Sequence, residues 1–264
     1  MNQQAHKHKA QHSMPGDTTL PPRENETSRG SYPVSERNKL RRVHERGRYD
    51  REAVHAVLDA AMLCHVAYSI EGEPYCTPTI HWREGDRLYW HGSSASRMLR
   101  QLKAGARVCL TVSHLDGLVL ARSGFHHSVN YRSAMCFGTA RIVDDRHEKE
   151  HALEALIERF YPGRARLLRP LEPQEIKATM VIGMEIEEAS AKMRAAGVGD
   201  DEEDYQLPIW AGVIPVRTVI DPLEACSRLL PDVQVPEGLS GFAAGRGLDE
   251  VLLENQRLYE MSAG

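Results

Sequence analysis

The sequence predicts a mainly β protein, an antiparallel barrel of six or seven strands with a few flanking helices. Short apolar segments rich in Val, Ile, Thr, Tyr and Trp recur between residues 64 and 193. Turn signals of a few residues separate many of these segments. Such short connections join antiparallel strands, because parallel strands need a crossover of about a dozen residues or more. With few helices available to cover an open sheet, we expect the strands to close into a small barrel.

The first element is a helix that begins after Asp50, with Val54, Leu58 and Met62 at helical spacing. Three strands follow, in "CHVAYSIE", "YCTPTIHW" and "RLYWHG", with turns at "EGEP" and "REGD". Further strands are predicted in "ARVCLTVSHLDG", "LVLARS" and "YRSAMCFGTARIVDD". Two helices, in "RHEKEHALEALIERFY" and "EPQEIKATM", precede a last long strand in "VIGMEIEEASAKM".

Composition divides the chain into three parts. Residues 1–45 are rich in polar residues and contain few large apolar ones, so burial cannot offset the entropy of ordering and we predict a disordered basic tail. Residues 46–216 hold the predicted strands and form the barrel domain. Residues 217–264 are weakly patterned, and we predict a loosely packed C-terminal extension.

Charge and cysteine usage exclude several classes of protein. Residues 1–48 carry ten basic and five acidic side chains, and because the whole chain is −4, the remainder is −9. A nucleic-acid partner is not expected for so acidic a body. No apolar run reaches the roughly 18 residues of a membrane helix, and no secretory signal is visible. The five cysteines are scattered without a CxxC pair, which is typical of reduced thiols and indicates a cytoplasmic location.

The stretch "LYWHGSSASRMLRQL" passes from a strand to an amphipathic helix. Ser93 or Ser94 would cap the first turn, where unpaired backbone N–H groups carry the positive end of the helix dipole. Serine hydroxyls and Arg97 beside those groups would make a phosphate socket. The alternative is an ordinary capped helix in which Arg97 is solvated.

Two other stretches place residues that are unusual in a strand, polar side chains or a proline, inside predicted strands. "HSVNYRSAMCFGTARIV" places Asn130, Arg132 and Ser133 at the start of a long strand. The partner of Arg132 would be either an anionic ligand or a carboxylate in an ordinary salt bridge. Pro78 lies inside "PYCTPTIHW", which confines that strand position to an edge or a bulge. Its backbone neighbours would then bind a ligand, or the proline simply protects the edge from aggregation.

Together these stretches resemble the pyridoxamine 5′-phosphate oxidase-like flavin-nucleotide-binding proteins, in the branch that includes nitroimidazole-resistance proteins. The resemblance lies in "PTIHWREGDRLYWHGSSASRMLRQL" and "VCLTVSHLDGLVLARSGFHHSVNYRSAMCFGTARIV", and extends to "ASAKMRAAGVGDDEEDYQLPIWAGVIP", covering about residues 46–216. It implies an FMN-binding split β-barrel that forms a homodimer, with FMN in a groove between the subunits.

The resemblance also implies roles for individual residues. Ser96 and Arg97 would hold the FMN phosphate, with His91 and Ser93 lining the groove beside it. The flavin ring would meet the strand backbone of Thr77, Pro78 and Thr79, and would be approached by Asn130, Arg132 and Ser133. Lys192, Arg194 and Trp210 would reach the site from the partner chain. His91 matches a histidine regarded as functional in nitroimidazole-resistance proteins, which makes it the candidate for catalytic proton transfer.

The implied activity is that of an FMN-dependent oxidoreductase, which passes electrons from a reduced nicotinamide to a small acceptor such as a nitro compound, a quinone or oxygen. Pyridoxamine phosphate oxidation itself is not expected, because no basic, histidine-containing motif for the substrate phosphate follows Trp210. One alternative is a protein that stores or senses flavin without turnover. Another is a haem protein that uses His126 or His127. No metal site is predicted, since HxxH and CxxC spacings are missing.

Overall fold

The computed structural model describes residues 30–93 and 105–263. Within them, the strands are β1 (Gly47–Arg48), β2 (Leu63–Ile70), β3 (Glu73–Glu84), β4 (Arg87–Ser93), β5 (Ala106–Leu120), β6 (Ser128–Ile142), β7 (Thr179–Glu185), β8 (Glu188–Arg194) and β9 (Gly212–Pro215). The α-helices of the same residues are α1 (Arg51–Asp59), α2 (Arg146–Phe160), α3 (Pro173–Ala178) and α4 (Leu248–Ala263). None of these helices has both the length and the apolar character needed to cross a membrane.

All pairings between these strands are antiparallel, and the sheet closes on itself. Its order is β1-β8-β6-β7-β4-β3-β2-β5-β9, and β6 also pairs with β5. In the described part of the chain, six strands therefore form a ring, while β1, β8 and β9 extend it at the sides. The mainly β, split-barrel fold that the sequence predicts is confirmed.

Closure depends on a change of partner along β6. Its first part pairs with β8 as far as Phe137 opposite Glu188, and its last part pairs with β7 from Ala140 opposite Met184. Gly138 lies at this crossing. A Cβ atom there would lie 2.2 Å from the carbonyl oxygen of Glu185 and 2.7 Å from Cγ of Met184. Only glycine lets the two backbones approach this closely.

Two apolar clusters lie on opposite faces of the sheet. The cluster inside the barrel contains Leu88, Trp90 and Ile182, and helix α1 packs against it through Val54, Val57 and Leu58. The sequence starts α1 after Asp50, and the structure agrees, since the Asp50 carboxylate accepts a hydrogen bond from the Ala53 N–H. The outer cluster places Trp82, Tyr89 and Val181 under α2, with Phe160 and Leu252.

Two strand predictions are wrong in detail. The sequence predicts a break at "LDG" between two strands, but β5 is continuous and takes up the irregularity as a shift of register between Leu115 and Gly117. The sequence also predicts one long strand in "VIGMEIEEASAKM". The structure turns the chain at residues 186–187 and forms two strands, β7 and β8, on either side of β6.

The predicted N-terminal and C-terminal segments contain packed residues. Tyr32 is buried, and its hydroxyl donates to the Asp86 carboxylate and contacts His55 Nε2. Residues 30–45 are therefore not a disordered tail. They lie within the fold because Tyr32 joins the inner cluster. In residues 217–264, helix α4 buries Val251 and Leu252, so the predicted loose packing does not describe this helix.

Helix α4 also meets a buried ion network under the barrel. Asp59 lies between two arginines and pairs with Arg83 at 2.6 Å and with Arg159 at 3.6 Å. Glu260 of α4 pairs with Arg83 at 2.7 Å, and Gln256 accepts a hydrogen bond from Arg159 at 2.5 Å. Burial lowers the pKa of Arg159 to about 10. A carboxylate between two buried guanidinium groups is needed to offset their desolvation.

Replacing Asp59 is expected to destabilise the fold strongly. Asp59→Asn leaves two buried cations without their shared carboxylate, and we expect a loss of about 3–5 kcal/mol in the free energy of unfolding. Urea denaturation followed by circular dichroism measures it. Glu36→Gln, which breaks the exposed pair with Arg41, is the control and should leave the midpoint unchanged. Equal midpoints for both variants would contradict the assigned role of Asp59.

Candidate functional site

His91 lies near the end of β4 on the outer face of the sheet. It pairs with Val181 of β7 in the register of the two strands, and its ring lies 5.9 Å from the ring of Trp82, centroid to centroid. Its Nδ1 atom is buried and has no hydrogen-bond partner among the described residues. Burial lowers the pKa of His91 below its ordinary value, which favours the neutral imidazole at pH 7. A half-buried neutral imidazole with an unused nitrogen suits proton transfer or hydrogen bonding to a ligand.

Trp82 is a site residue that the sequence analysis missed. It lies opposite Tyr89 in the β3–β4 hairpin, and the two rings stack 5.6 Å apart. The turn at "REGD" fixes this register, because it joins Glu84 to Arg87 as a pair. A register derived from that turn would have placed Trp82 diagonal to His91.

The sheet opens beside His91. Strand β4 pairs with β3 only where residues 81–84 of β3 lie opposite residues 87–90 of β4. Residues 91–93 of β4 pair with β7. Residues 73–80 pair with β2 on one side, and on the other side no strand in the described part of the chain meets them. This is the split of the barrel. Backbone groups along such an edge must bond to water, to other segments or to a ligand.

Thr77, Pro78 and Thr79 lie along this open edge. Thr77 is opposite Val66 and its hydroxyl lies 3.2 Å from the Tyr68 hydroxyl, so its side chain faces the barrel interior. Pro78 is opposite His65 on the outer face and is exposed. The edge position predicted for Pro78 is therefore what the structure shows.

The serine-rich junction is described only in part. Ser93 is the last described residue of β4; it is exposed and pairs with Thr179 in the register. Ser96 and Arg97, which the sequence assigns to the phosphate socket, lie outside the described residues, as does the predicted helix.

Asn130, Arg132 and Ser133 are held by partners within the chain. Arg132 binds both oxygens of Asp116 and also Asp249 of α4, at 2.7–3.2 Å. Asn130 accepts hydrogen bonds from Arg194 and from the Ala196 N–H, and Ser133 donates to the Lys192 carbonyl. Of the two alternatives for Arg132, the salt bridge is the one seen here.

Two routes through the ring of strands lead from these three residues to His91. Through β7, Ser133 lies nine residues before Ile142, which pairs with Ile182 beside the partner of His91, on the order of 30 Å along β6 at about 3.3 Å per residue. Through β5 and β2, Met135, two residues after Ser133, lies in the same cross-strand row as Pro78 of the open edge. In the described part of the chain, no side-chain hydrogen bond or ion pair joins the three residues to His91.

The outer face of the sheet carries a row of facing residues that runs across five strands. Pro78 is opposite His65, His65 opposite Thr111, Thr111 opposite Met135, and Met135 opposite Ser190. Met135 is 41% exposed, and Leu63 on the same face of β2 is 64% exposed. We call this row, with Leu63, the outer strip. Apolar side chains exposed in the middle of a sheet indicate a contact surface.

A cleft of about 680 Å³ lies between the barrel end and the C-terminal segment. Apolar side chains of Met62, Leu115, Val219 and Leu248 line it, together with His114 and Arg217. His114 Nε2 lies 3.0 Å from the Val57 carbonyl oxygen. Volume and lining are those of a small-molecule site.

His126 and His127 have different surroundings. His126 Nδ1 lies 2.7 Å from the Ser123 hydroxyl, and its Nε2 is 4.0 Å from an Asp201 oxygen. His127 is exposed, and its Nδ1 lies 2.9 Å from the Ser123 carbonyl oxygen.

Comparison with known proteins identifies relatives over most of the chain. Residues 50–193 match the family model described as pyridoxamine 5′-phosphate oxidase. The flavocytochrome Anf3 from Azotobacter vinelandii is 47% identical, with a TM-score of 0.75, and the match covers 80% of this chain and 98% of that one. An FAD- and heme-binding protein from Mycobacterium smegmatis is 34% identical, with a TM-score of 0.72, over 77% and 98%. Among curated proteins, none matches this chain.

The pKa of His91 supplies a test of its surroundings. Because burial lowers that pKa, the unfolded chain binds the proton more readily than the folded one. Stability is therefore complete above the unfolded value of about 6.5 and decreases as the pH falls below it. We expect the His91 ring signal in NMR to titrate with a midpoint below about 6.5. His91→Gln assigns the signal and flattens this part of the stability profile; a midpoint above 6.5 would contradict the burial.

Proposed function

The chain belongs to the pyridoxamine 5′-phosphate oxidase-like split-barrel family, and from that premise we propose that it binds a flavin nucleotide and acts as an oxidoreductase. The observation that carries the proposal is the open edge of β3 beside His91, whose buried Nδ1 has no partner in the described part of the chain. An unpaired strand edge and an unsatisfied imidazole nitrogen both suit a polar, planar ring. The names of the two relatives, a flavocytochrome and an FAD- and heme-binding protein, support the same conclusion.

Each residue of the proposed site has a separate task. The backbone of residues 77–79 would bond to the polar edge of the flavin ring, and His91 would hold or move a proton beside it. Ser96 and Arg97 would bind the ribityl phosphate, as the family resemblance implies. The flavin, when bound, supplies hydride acceptance from a reduced nicotinamide and electron transfer to a small acceptor.

The form of the flavin is open to direct measurement. The sequence predicts FMN, whereas the name of the Mycobacterium smegmatis relative favours FAD. Both contain the ribityl phosphate that Arg97 would bind. The mass of the flavin released from the purified full chain distinguishes the two.

Flavin binding should depend on Arg97. We expect a flavin absorption band near ~450 nm in the purified protein, a property of the cofactor. Arg97→Ala should weaken binding by about 1.5–3 kcal/mol, the contribution of one charge-assisted hydrogen bond. Titration of the flavin-free protein measures both dissociation constants. The control is Arg146→Ala, an exposed arginine paired with Glu150 on α2, which should bind as wild type does. A protein that neither contains nor binds flavin would overturn the proposal.

Storage or sensing of flavin without turnover is the alternative to an oxidoreductase. Residues of the described site include one half-buried imidazole and no paired acid and base, which would suit either role. Steady-state consumption of NADH or NADPH by the flavin-loaded protein, with a quinone or nitro compound as acceptor, would exclude simple storage.

We further propose that two copies of the chain build the flavin site together. In the described part of one chain, the Asn130–Ser133 segment makes no side-chain hydrogen bond or ion pair with His91, and, as the family resemblance implies, a second copy would bring both sets to one flavin. The outer strip supplies a surface for it, since Met135 and Leu63 are exposed there. Further apolar side chains are exposed in a cross-strand row on β9, β5 and β6, namely Ile214, Leu118 and Val129.

A charge in the outer strip should separate the subunits. Met135→Lys places a cation where an apolar contact is expected, and it should convert a dimer into a monomer of 29.7 kDa. Light scattering coupled to gel filtration measures the mass. Leu168→Lys changes a similarly exposed leucine outside the strip and should leave the mass unchanged. A wild-type protein that is monomeric at micromolar concentration would contradict the proposal.

A haem group is a second candidate cofactor, favoured by the cleft beside His114. Its volume of about 680 Å³ can hold a planar macrocycle, and its lining is mixed: the apolar side chains lie beside Asp116, Asp249 and Glu250, while Arg217 offers a cation for carboxylate groups. His114 and Met62 are the lining side chains that could ligate iron. When bound, haem supplies one-electron chemistry. One relative is named as a heme-binding protein and the other as a flavocytochrome.

The haem proposal has a simple spectroscopic test. Addition of haem to the full chain should give a Soret band, and His114→Ala should shift or abolish it because an axial ligand is lost. His127→Ala, at an exposed histidine, is the matched control and should leave the spectrum unchanged. If the two variants behave alike, the cleft is not the haem site.

A further inference from the structure

The connection between β5 and β6 meets the segment that follows β8 at a small polar cluster. One nitrogen of His126 and one oxygen each of Asp201 and Asp204 lie within 4.8 Å of one another. We propose that these three side chains form a binding site for a divalent transition-metal ion. The proposal concerns residues outside the flavin site and the haem cleft and depends on neither.

The surroundings of His126 orient its ring for such a site. Ser123 Oγ lies 2.7 Å from His126 Nδ1, on the side of the ring away from the carboxylates, and Nε2 is directed toward Asp201 at 4.0 Å. A metal-binding histidine almost always has its second ring nitrogen in a hydrogen bond, which fixes the tautomer and the ring. Ser123 fills that role here.

Among the described residues, the two carboxylates of the cluster, Asp201 and Asp204, have no lysine or arginine partner. Arg122 is engaged with the neighbouring Asp200 through its side chain and its backbone N–H. Two carboxylates held close together repel each other, and a bound cation would remove this repulsion.

The donor set selects the class of metal. One imidazole nitrogen and two carboxylate oxygens suit Zn²⁺, Mn²⁺ or Fe²⁺ better than Ca²⁺, which takes oxygen ligands only. Ligand distances of about 2.0–2.2 Å require the three atoms to move closer than they are here. Side-chain rotation of the exposed Asp201 supplies this movement.

A metal at this position would tie two segments together. His126 follows β5, and the two aspartates begin the turn of residues 201–206 that leads toward Trp210 and β9. The ion would thereby fix the entrance to the segment that pairs with β5 through β9. We therefore expect the bound ion to make residues 201–206 more ordered.

The test measures Zn²⁺ binding to the full chain by calorimetry. Because His6, His8 and His12 are further imidazoles that would compete for Zn²⁺, all variants are made in a background with alanine at these three positions. We expect about one site per chain. His126→Ala and Asp204→Asn should each weaken it tenfold or more, and His127→Ala should bind as the background does.

Several results would overturn the proposal. They are an absence of Zn²⁺ binding in the background protein, equal binding by the His126 and His127 variants, or tighter binding of Ca²⁺ than of Zn²⁺. Circular dichroism of the metal-free variants confirms that each is folded. Protection of residues 200–206 from hydrogen exchange should rise on addition of Zn²⁺ in the background protein and not in His126→Ala.

Discussion

The close approach of two backbones at Gly138 is the constraint on which the barrel depends. Strand β6 pairs with β8 before this residue and with β7 after it, while β5 pairs along its whole length. A side chain here would collide with the Glu185 carbonyl, 2.2 Å away. Without the crossing, β7 and β4 would lose their link to β6 and the ring would open. Everything that the barrel positions, including His91, depends on this contact.

Closing the ring in this way also determines where it opens. Strand β4 continues along β7 at its end and pairs with β3 only at residues 81–84 of β3. Residues 77–79 therefore pair with β2 on one side, and on the other side no strand of the described residues lies beside them. Buried backbone groups are almost always paired, and an unpaired edge beside a buried cluster is therefore a place for a ligand. Trp82 and Val181 limit water around His91 on the other side. The proposed flavin site is in this sense a consequence of the topology.

The sequence predicts those features that short-range chemistry determines. The N-cap at Asp50, the hairpin turns, the exposed Pro78 and the place of His91 all depend on residues close together in the chain. What it misses depends on distant partners. The "LDG" stretch is absorbed by a bulge because β6 pairs with β5 both before and after it. Arg132 has its carboxylates at Asp116 and Asp249, the second of them on α4. Helix α4 lacks a sequence signal strong enough to show that it packs against α2.

The salt bridges of Arg132 bear on how the protein would work. Arg132 has its charge balanced by Asp116 and Asp249 within the chain, so its electrostatic attraction for a second anion is reduced. Binding of a flavin phosphate would then depend on the junction after Ser93, because no acidic residue lies between Ser93 and Arg97 in the sequence. Residues around Arg132 would instead shape the site through the backbone of β6 and through helix α4, which Arg132 binds at Asp249. In a dimer, each chain would then bind the flavin phosphate through Arg97. Its segment around Arg132 would line the flavin site of the partner chain.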